Sequence, residues 1–136
     1  MNRRDTVLAL LALGASPLAS VAQQTDRVWR VGYLSNSSGQ SAFTEAFSAE
    51  LGKLGYVEGR NLVMEYRWGM NNEERLAGLA AELVRLKVDV IVTQAQQALL
   101  AAKRATSSIP IVIATAADPV GAGIVASLAR PGGNIT

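Results

Sequence analysis

The chain has 136 residues, 49% of them hydrophobic and 18% charged, which suffices for one domain of ordinary size and excludes a disordered tail. It contains no Cys and no His, so disulfides, zinc sites of Cys/His type, cysteine nucleophiles and a Ser-His-Asp triad within these residues are excluded. Aromatics are 5% and the formal charge is +2, from 13 basic and 11 acidic groups, too sparse and too balanced for nucleic-acid binding.

Residues 1–22 read as a secretory signal peptide. Arg3 and Arg4 form a basic start, and Val7 to Ala15 is an apolar run too short for a stable membrane anchor. Pro17 breaks that run, and Ser20-Val21-Ala22 supplies small residues for a peptidase, which places cleavage before Gln23. The Arg pair leaves both the Sec and the Tat route open. Removal takes two Arg and one Asp, so the mature charge falls to +1. No Cys follows the apolar run, so the sequence predicts a soluble, periplasmic product without a lipid anchor.

Thr25 to Leu34 has a buried-strand composition, with Val28, Trp29, Val31, Tyr33 and Leu34. A polar loop, Ser35 to Gln40, follows. Phe43, Phe47, Leu51 and Leu54 then fall on one helical face, with Ser41 as N-cap and Gly55 just past the end. Leu62 to Trp68 alternates as a second strand. Asn71-Asn72-Glu73-Glu74 caps a helix whose apolar face is Leu76, Leu79, Leu83 and Leu86. Val88 to Thr93 reads as a third strand, Ala95 to Thr106 as an Ala-rich helix, and Ile109 to Thr115 as a fourth strand with Pro110 near its start. Val120 to Ala129 is predicted as a last short helix, stopped by Pro131-Gly132-Gly133. Asn134-Ile135-Thr136 looks like another strand beginning.

This order predicts an α/β fold: a Rossmann-like parallel sheet with helices on both faces and right-handed crossovers. Ligands of such sheets bind beyond the carboxyl ends of the strands. The loops there are Ser35 to Gln40, Gly69 to Met70, Gln94 to Gln97 and Thr115 to Val120. Their uncharged donors, set beside helix starts, suit a small anionic or zwitterionic ligand. The candidate ligand-binding residues are Ser35, Asn36, Ser37, Gln94, Ala95, Gln96, Thr115 and Asp118.

Several motifs carry two readings. Ser35 to Ser38 are ligand donors or an ordinary Ser/Asn turn. Asp118-Pro119 presents a carboxylate to a ligand amine or caps the next helix. Gly121-Ala122-Gly123-Ile124-Val125-Ala126 matches the form G-x-G-x-x-A, but Ala116 to Val120 separate it from the strand and the acid expected about 20 residues on has no room before Thr136, so it reads as two glycines that let a loop turn tightly into a helix. Lys103-Arg104 reads as a solvated helix end. Trp29 and Trp68 read as packing. Glu45, Glu50, Glu73 and Glu74 sit on helix faces toward solvent and form no acid–base pair. No catalytic residue, metal site or cofactor is predicted.

The stretches Leu54-Gly55-Tyr56-Val57-Glu58-Gly59-Arg60-Asn61, Glu65-Tyr66-Arg67-Trp68, Leu79 to Val92, Ala101 to Thr106, Ile109-Pro110-Ile111-Val112 and Asp118 to Thr136 together resemble one family. It is the bacterial ABC-transporter substrate-binding proteins of the type linked to tryptophan or tyrosine uptake. The resemblance implies a type I periplasmic-binding fold, with two α/β lobes, a hinge and a solute closed between them. Residues 23–136 then correspond to the N-terminal lobe, without the second. The partners it implies are a small-molecule solute (an amino acid or small carboxylate) and an ABC permease in the membrane, with no nucleic acid. Two other roles for such a lobe are a sensor feeding a regulator and half of an exported α/β enzyme. Family members commonly carry a turn such as Gly-Thr-Pro after the third strand, where this chain has Ala95-Gln96-Gln97.

Overall fold

A computed structural model describes residues 27–127, 129–130 and 132–136. The predicted signal peptide, residues 1–22, and the predicted cleavage before Gln23 lie outside these residues. The elements run β1 (Trp29–Ser35), α1 (Ala42–Lys53), β2 (Leu62–Trp68), α2 (Glu73–Arg85), β3 (Val90–Gln94), α3 (Gln96–Ala105) and β4 (Ile111–Thr115). All four strands are parallel, in the order β2-β1-β3-β4. Ile135 adds a parallel bridge to Ile111, so the segment predicted as a beginning strand does continue the sheet beyond β4.

Side chains alternate across each strand and so divide the core in two. On one face Leu34, Ile91 and Ile111 pack under Leu76, Ala80 and Leu83 of α2 and Ala98, Leu99 and Ala102 of α3. On the other face Val31, Tyr33, Leu62 and Val92 meet Phe47 and Leu51 of α1, together with Tyr66 and Trp68. Helices therefore cover both faces, as the alternating pattern predicts.

Local signals account for most boundaries. Thr44 Oγ1 accepts from Ser41 N at 2.9 Å and donates to Ser41 O at 2.9 Å, which closes the first turn of α1. That helix ends in a Schellman motif: Tyr56 N donates to Leu51 O at 2.9 Å and Gly55 N to Gly52 O at 3.0 Å, with Gly55 at φ +97°. Asn72 Oδ1 accepts from Arg75 N at 3.0 Å and caps α2. At the start of the sheet Asp89 accepts from Arg30 N at 2.8 Å and pairs with Arg27 at 3.0 Å.

The predicted helix Val120 to Ala129 is absent among the described residues: residues 119–123 form turns and 124–126 bends. Gly123 takes φ +73°, and Ile124 N and Val125 N both donate to Pro119 O, at 2.9 and 3.1 Å. Ile124 and Val125 are both buried. Lys103 and Arg104 are exposed at the end of α3, as expected, and Lys103 Nζ also donates to Ile124 O of this turn. Glu45, Glu50, Glu73 and Glu74 are exposed as expected.

Candidate functional site

The parallel register brings four strand ends into one row. Ser35 pairs with Trp68 on one side and Gln94 on the other, and Gln94 pairs with Thr115 across an irregularity after Thr93. The row Trp68, Ser35, Gln94, Thr115 therefore lines the carboxyl edge of the sheet. Beneath it Tyr33 is fully buried among aromatic neighbours, its ring centroid 5.6 Å from Phe47, 5.7 Å from Tyr66 and 6.1 Å from Trp68. Tyr66 and Trp68 stack at 5.6 Å with 7° between their planes.

Hydrogen bonds connect the row. Tyr33 Oη donates to Gln94 Oε1 at 2.8 Å, and Ser35 Oγ donates to the same oxygen at 3.3 Å. Ser35 Oγ accepts from Ser37 N at 3.1 Å and lies 2.9 Å from Ser37 Oγ. Burial, with Tyr66 adding to it, pushes the Tyr33 phenol up to about 12, so it stays protonated throughout the neutral range. The Tyr66 phenol is also raised, first by burial and then by the Glu58 carboxylate that accepts its proton at 3.2 Å.

The next loop pair is joined through Asn36. Asn36 Nδ2 donates to Asn71 Oδ1 at 3.2 Å, and Asn71 N donates to Asn36 O at 3.0 Å. Asn36 Oδ1 is buried and has no partner. It faces Gly69, where a Cβ would stand 3.2 Å from Oδ1 and 2.6 Å from the Leu76 side chain. Glycine at position 69 thus permits the β2 loop to pass close over both groups.

On the far side, Ala95 N donates to Thr115 O at 3.0 Å and to Thr115 Oγ1 at 3.1 Å. Gln96 Oε1 accepts from Asp118 N at 2.7 Å. Asp118 Oδ1 in turn accepts from Gly121 N at 2.9 Å, which is the capping arrangement, although a turn rather than a helix follows. A depression of about 430 Å³ opens between these segments, lined by Ala95, Gln96, Gln97, Thr115, Ala116 and Ala117.

Ala95 itself has φ +87° and ψ +149°, a region populated almost only by glycine. The backbone therefore keeps the path of a Gly turn while the sequence supplies Ala.

The eight sequence-predicted residues all lie at this edge, in two groups. Ser35, Ser37 and Gln94 share one hydrogen-bonded cluster, with Asn36 beside it. Ala95, Gln96, Thr115 and Asp118 form the second, around the depression. Sequence reasoning missed Tyr33, the buried partner of Gln94. Its position two residues before Ser35, on the same strand face, is the signal that points to it. Among the described residues no group of three acidic or imidazole or thiol side chains could hold a metal ion, and no helix is long and apolar enough to cross a membrane.

The family model for ABC transporter substrate-binding proteins matches residues 34–136, which includes every residue of this edge. The chain belongs to that family. It is similar to the tyrosine-binding protein of Clostridioides difficile (strain R20291), 34% identical over 92 residues, which is 68% of this chain and 27% of that one. Among solved structures it is similar to the ligand-free, open form of a substrate-binding protein with adhesive properties from Clostridium difficile. The TM-score there is 0.75 at 29% identity, over 80% of this chain and 38% of that one. It is also similar to a Streptococcus pneumonia ABC domain in complex with L-Trp, at TM-score 0.72 and 26% identity, over 80% of this chain and 37% of that one. The chain thus spans little more than a third of these two structures and about a quarter of the tyrosine-binding protein.

Proposed function

We propose that this substrate-binding chain is the N-terminal lobe of an extracytoplasmic receptor that captures a small solute, an amino acid by preference, for delivery to an ABC permease. The observation that carries this reading is the row Trp68, Ser35, Gln94 and Thr115. It sets the partly exposed Trp68, otherwise packed on Tyr66 and Tyr33 as the sequence reads it, beside neutral donors and acceptors at the carboxyl edge of a parallel sheet, where α/β folds bind ligands. An amino acid offers the matching parts: an apolar side chain for the aromatic stack and a carboxylate for the donors. The named ligands of the relatives, tyrosine and L-Trp, belong to that class. The role is capture without turnover, and the second wall of the cleft belongs to a second lobe. Residues 1–22 serve export, and the mature chain begins at Gln23.

Calorimetric titration of the purified chain with L-tryptophan, L-tyrosine and L-isoleucine tests the binding reading. Weak heat of binding on the millimolar scale, with the amino acid recovered unchanged, is expected. Chemical conversion of the bound amino acid would replace the receptor by an enzyme. Export is tested separately by N-terminal sequencing of secreted material: Gln23 is expected, and an intact Met1 on cytoplasmic protein would overturn it.

A further inference from the structure

The carboxamide of Gln94 is held from beneath. Its oxygen has two lone pairs, and two hydroxyls aim at it, from Tyr33 at 2.8 Å and Ser35 at 3.3 Å. Tyr33 is fully buried, and Gln94 Oε1 is the acceptor its hydroxyl has among the described residues. A buried phenol without an acceptor is costly, so the reversed amide, with Nε2 toward Tyr33, would leave that proton stranded. Ser37 N donates to Ser35 Oγ at 3.1 Å, and the single Ser35 proton is shared between Ser37 Oγ at 2.9 Å and Gln94 Oε1 at 3.3 Å, so Tyr33 is the principal anchor of the amide oxygen. The opposite end of the amide, Nε2, has no protein partner among the described residues. It is also not sealed from solvent, because Asn36 Oδ1 is the one buried side-chain polar atom without a partner there.

We infer that Gln94 is a fixed hydrogen-bond donor of the solute site: Tyr33 and Ser35 hold its carboxamide oxygen, so that Nε2 faces the cleft and takes an oxygen acceptor of the solute, a carboxylate or an amide carbonyl. This rests on reading the sheet edge as the solute site, and it gives that site a polarity. A solute is oriented with its acid end at β3 and excluded there by its ammonium end. Tyr33 is a positioning residue, since it acts on the solute only through Gln94. The phenol's high pKa keeps the arrangement intact across the neutral range.

The orientation is testable without any solute. In the ligand-free, isotope-labelled chain, the Gln94 side-chain amide protons should exchange with water and give no nuclear Overhauser effect to the Tyr33 ring. Strong effects to that ring with slow exchange would overturn the inference outright. Tyr33→Phe removes the buttress, and the Gln94 amide should then sample both orientations.

The solute role is tested by titrating L-tryptophan, L-tryptophanamide and tryptamine into the native chain and into Gln94→Glu. That substitution keeps acceptors for Tyr33 and Ser35 but puts a carboxylate oxygen where Nε2 stood. Its unfolding midpoint checks that it still folds. L-Tryptophan should bind the variant roughly tenfold or more weakly, the scale of a hydrogen bond to a charged group, while tryptamine is not weakened. If L-tryptophanamide loses as much as L-tryptophan, the acceptor is a carbonyl; if only L-tryptophan loses, it is the carboxylate. Equal L-tryptophan affinity in native and variant chains would overturn the donor role. Absence of any binding to the native chain, with Nε2 directed outward, would overturn the solute-site reading and the donor role with it, while the amide orientation would stand.

Discussion

Replacing Ala95 by glycine should stabilise this protein. Ala95 sits between β3 and α3 at φ +87° and ψ +149°, and its N–H is held by both the carbonyl and the hydroxyl of Thr115. A non-glycine residue in that region costs about 1–3 kcal/mol. Glycine removes the cost but adds flexibility to the unfolded chain, about 0.4–1 kcal/mol in the other direction. As the N-cap of α3, glycine is also no worse than alanine. The net gain is about 0–2.6 kcal/mol, which corresponds to up to roughly 12 °C in melting temperature for a domain near 100 residues. Urea unfolding followed by circular dichroism measures it directly, with an unchanged slope as the check that only stability has moved. Ala95→Val is the complementary variant and should be less stable than the native chain. An Ala95→Gly variant that unfolds at lower urea would refute the reasoning, because the Ala95 methyl would then contribute more by packing than it costs in strain.

Other substitutions probe the same edge. Gly69→Ala places a methyl 2.6 Å from the Leu76 side chain in the core, so it should destabilise by about 1–3 kcal/mol, read from thermal unfolding. Replacing Ala95-Gln96-Gln97 by Gly-Thr-Pro removes the Gln96 acceptor of Asp118 N, so exchange protection of that amide should fall and the ranking of bound amino acids should change. The raised Tyr33 pKa means that the folded state holds this proton more tightly than the unfolded state does. Its contribution is therefore complete below pH 10 and is lost as the pH climbs from 10 towards 12; Tyr33→Phe should flatten that alkaline loss in pH-dependent urea midpoints.

The sheet and its helices were legible because their signals are local. Period-2 alternation marks Leu62 to Trp68, period-3.6 spacing marks Leu76 to Leu86, and Asn72 and Gly55 punctuate the helices through backbone hydrogen bonds they alone satisfy. The same rules mislead at Val120 to Ala129. Apolar residues and a preceding Pro119 imitate a helix start, but Gly121 and Gly123 flank a tight turn closed by Asp118 and Pro119 O and met by Lys103, a residue 21 positions away from Ile124. The strand-end loops were legible from topology alone, which is why all eight predicted residues fall on one edge. The bond from Tyr33 to Gln94 was not legible, since it joins residues 61 positions apart whose adjacency depends on β1 and β3 pairing in one particular register. Ala95 shows the remaining gap: the sequence reveals the departure from glycine, but only the backbone angle reveals the strain it carries.

The central claim is that a solute binds at the carboxyl edge of the sheet. One lobe supplying half the binding energy of a micromolar receptor offers about −4.1 kcal/mol, or roughly millimolar affinity, so the measurement must read weak binding. A map of backbone amide shifts during titration of the labelled chain with L-tyrosine or L-tryptophan up to millimolar concentration does so. Saturating shifts confined to residues 35–38, 68–70, 94–97 and 115–118 are predicted. Shifts centred instead on the groove between α2 and α3, around Ala77, Leu100 and Arg104, would contradict the placement.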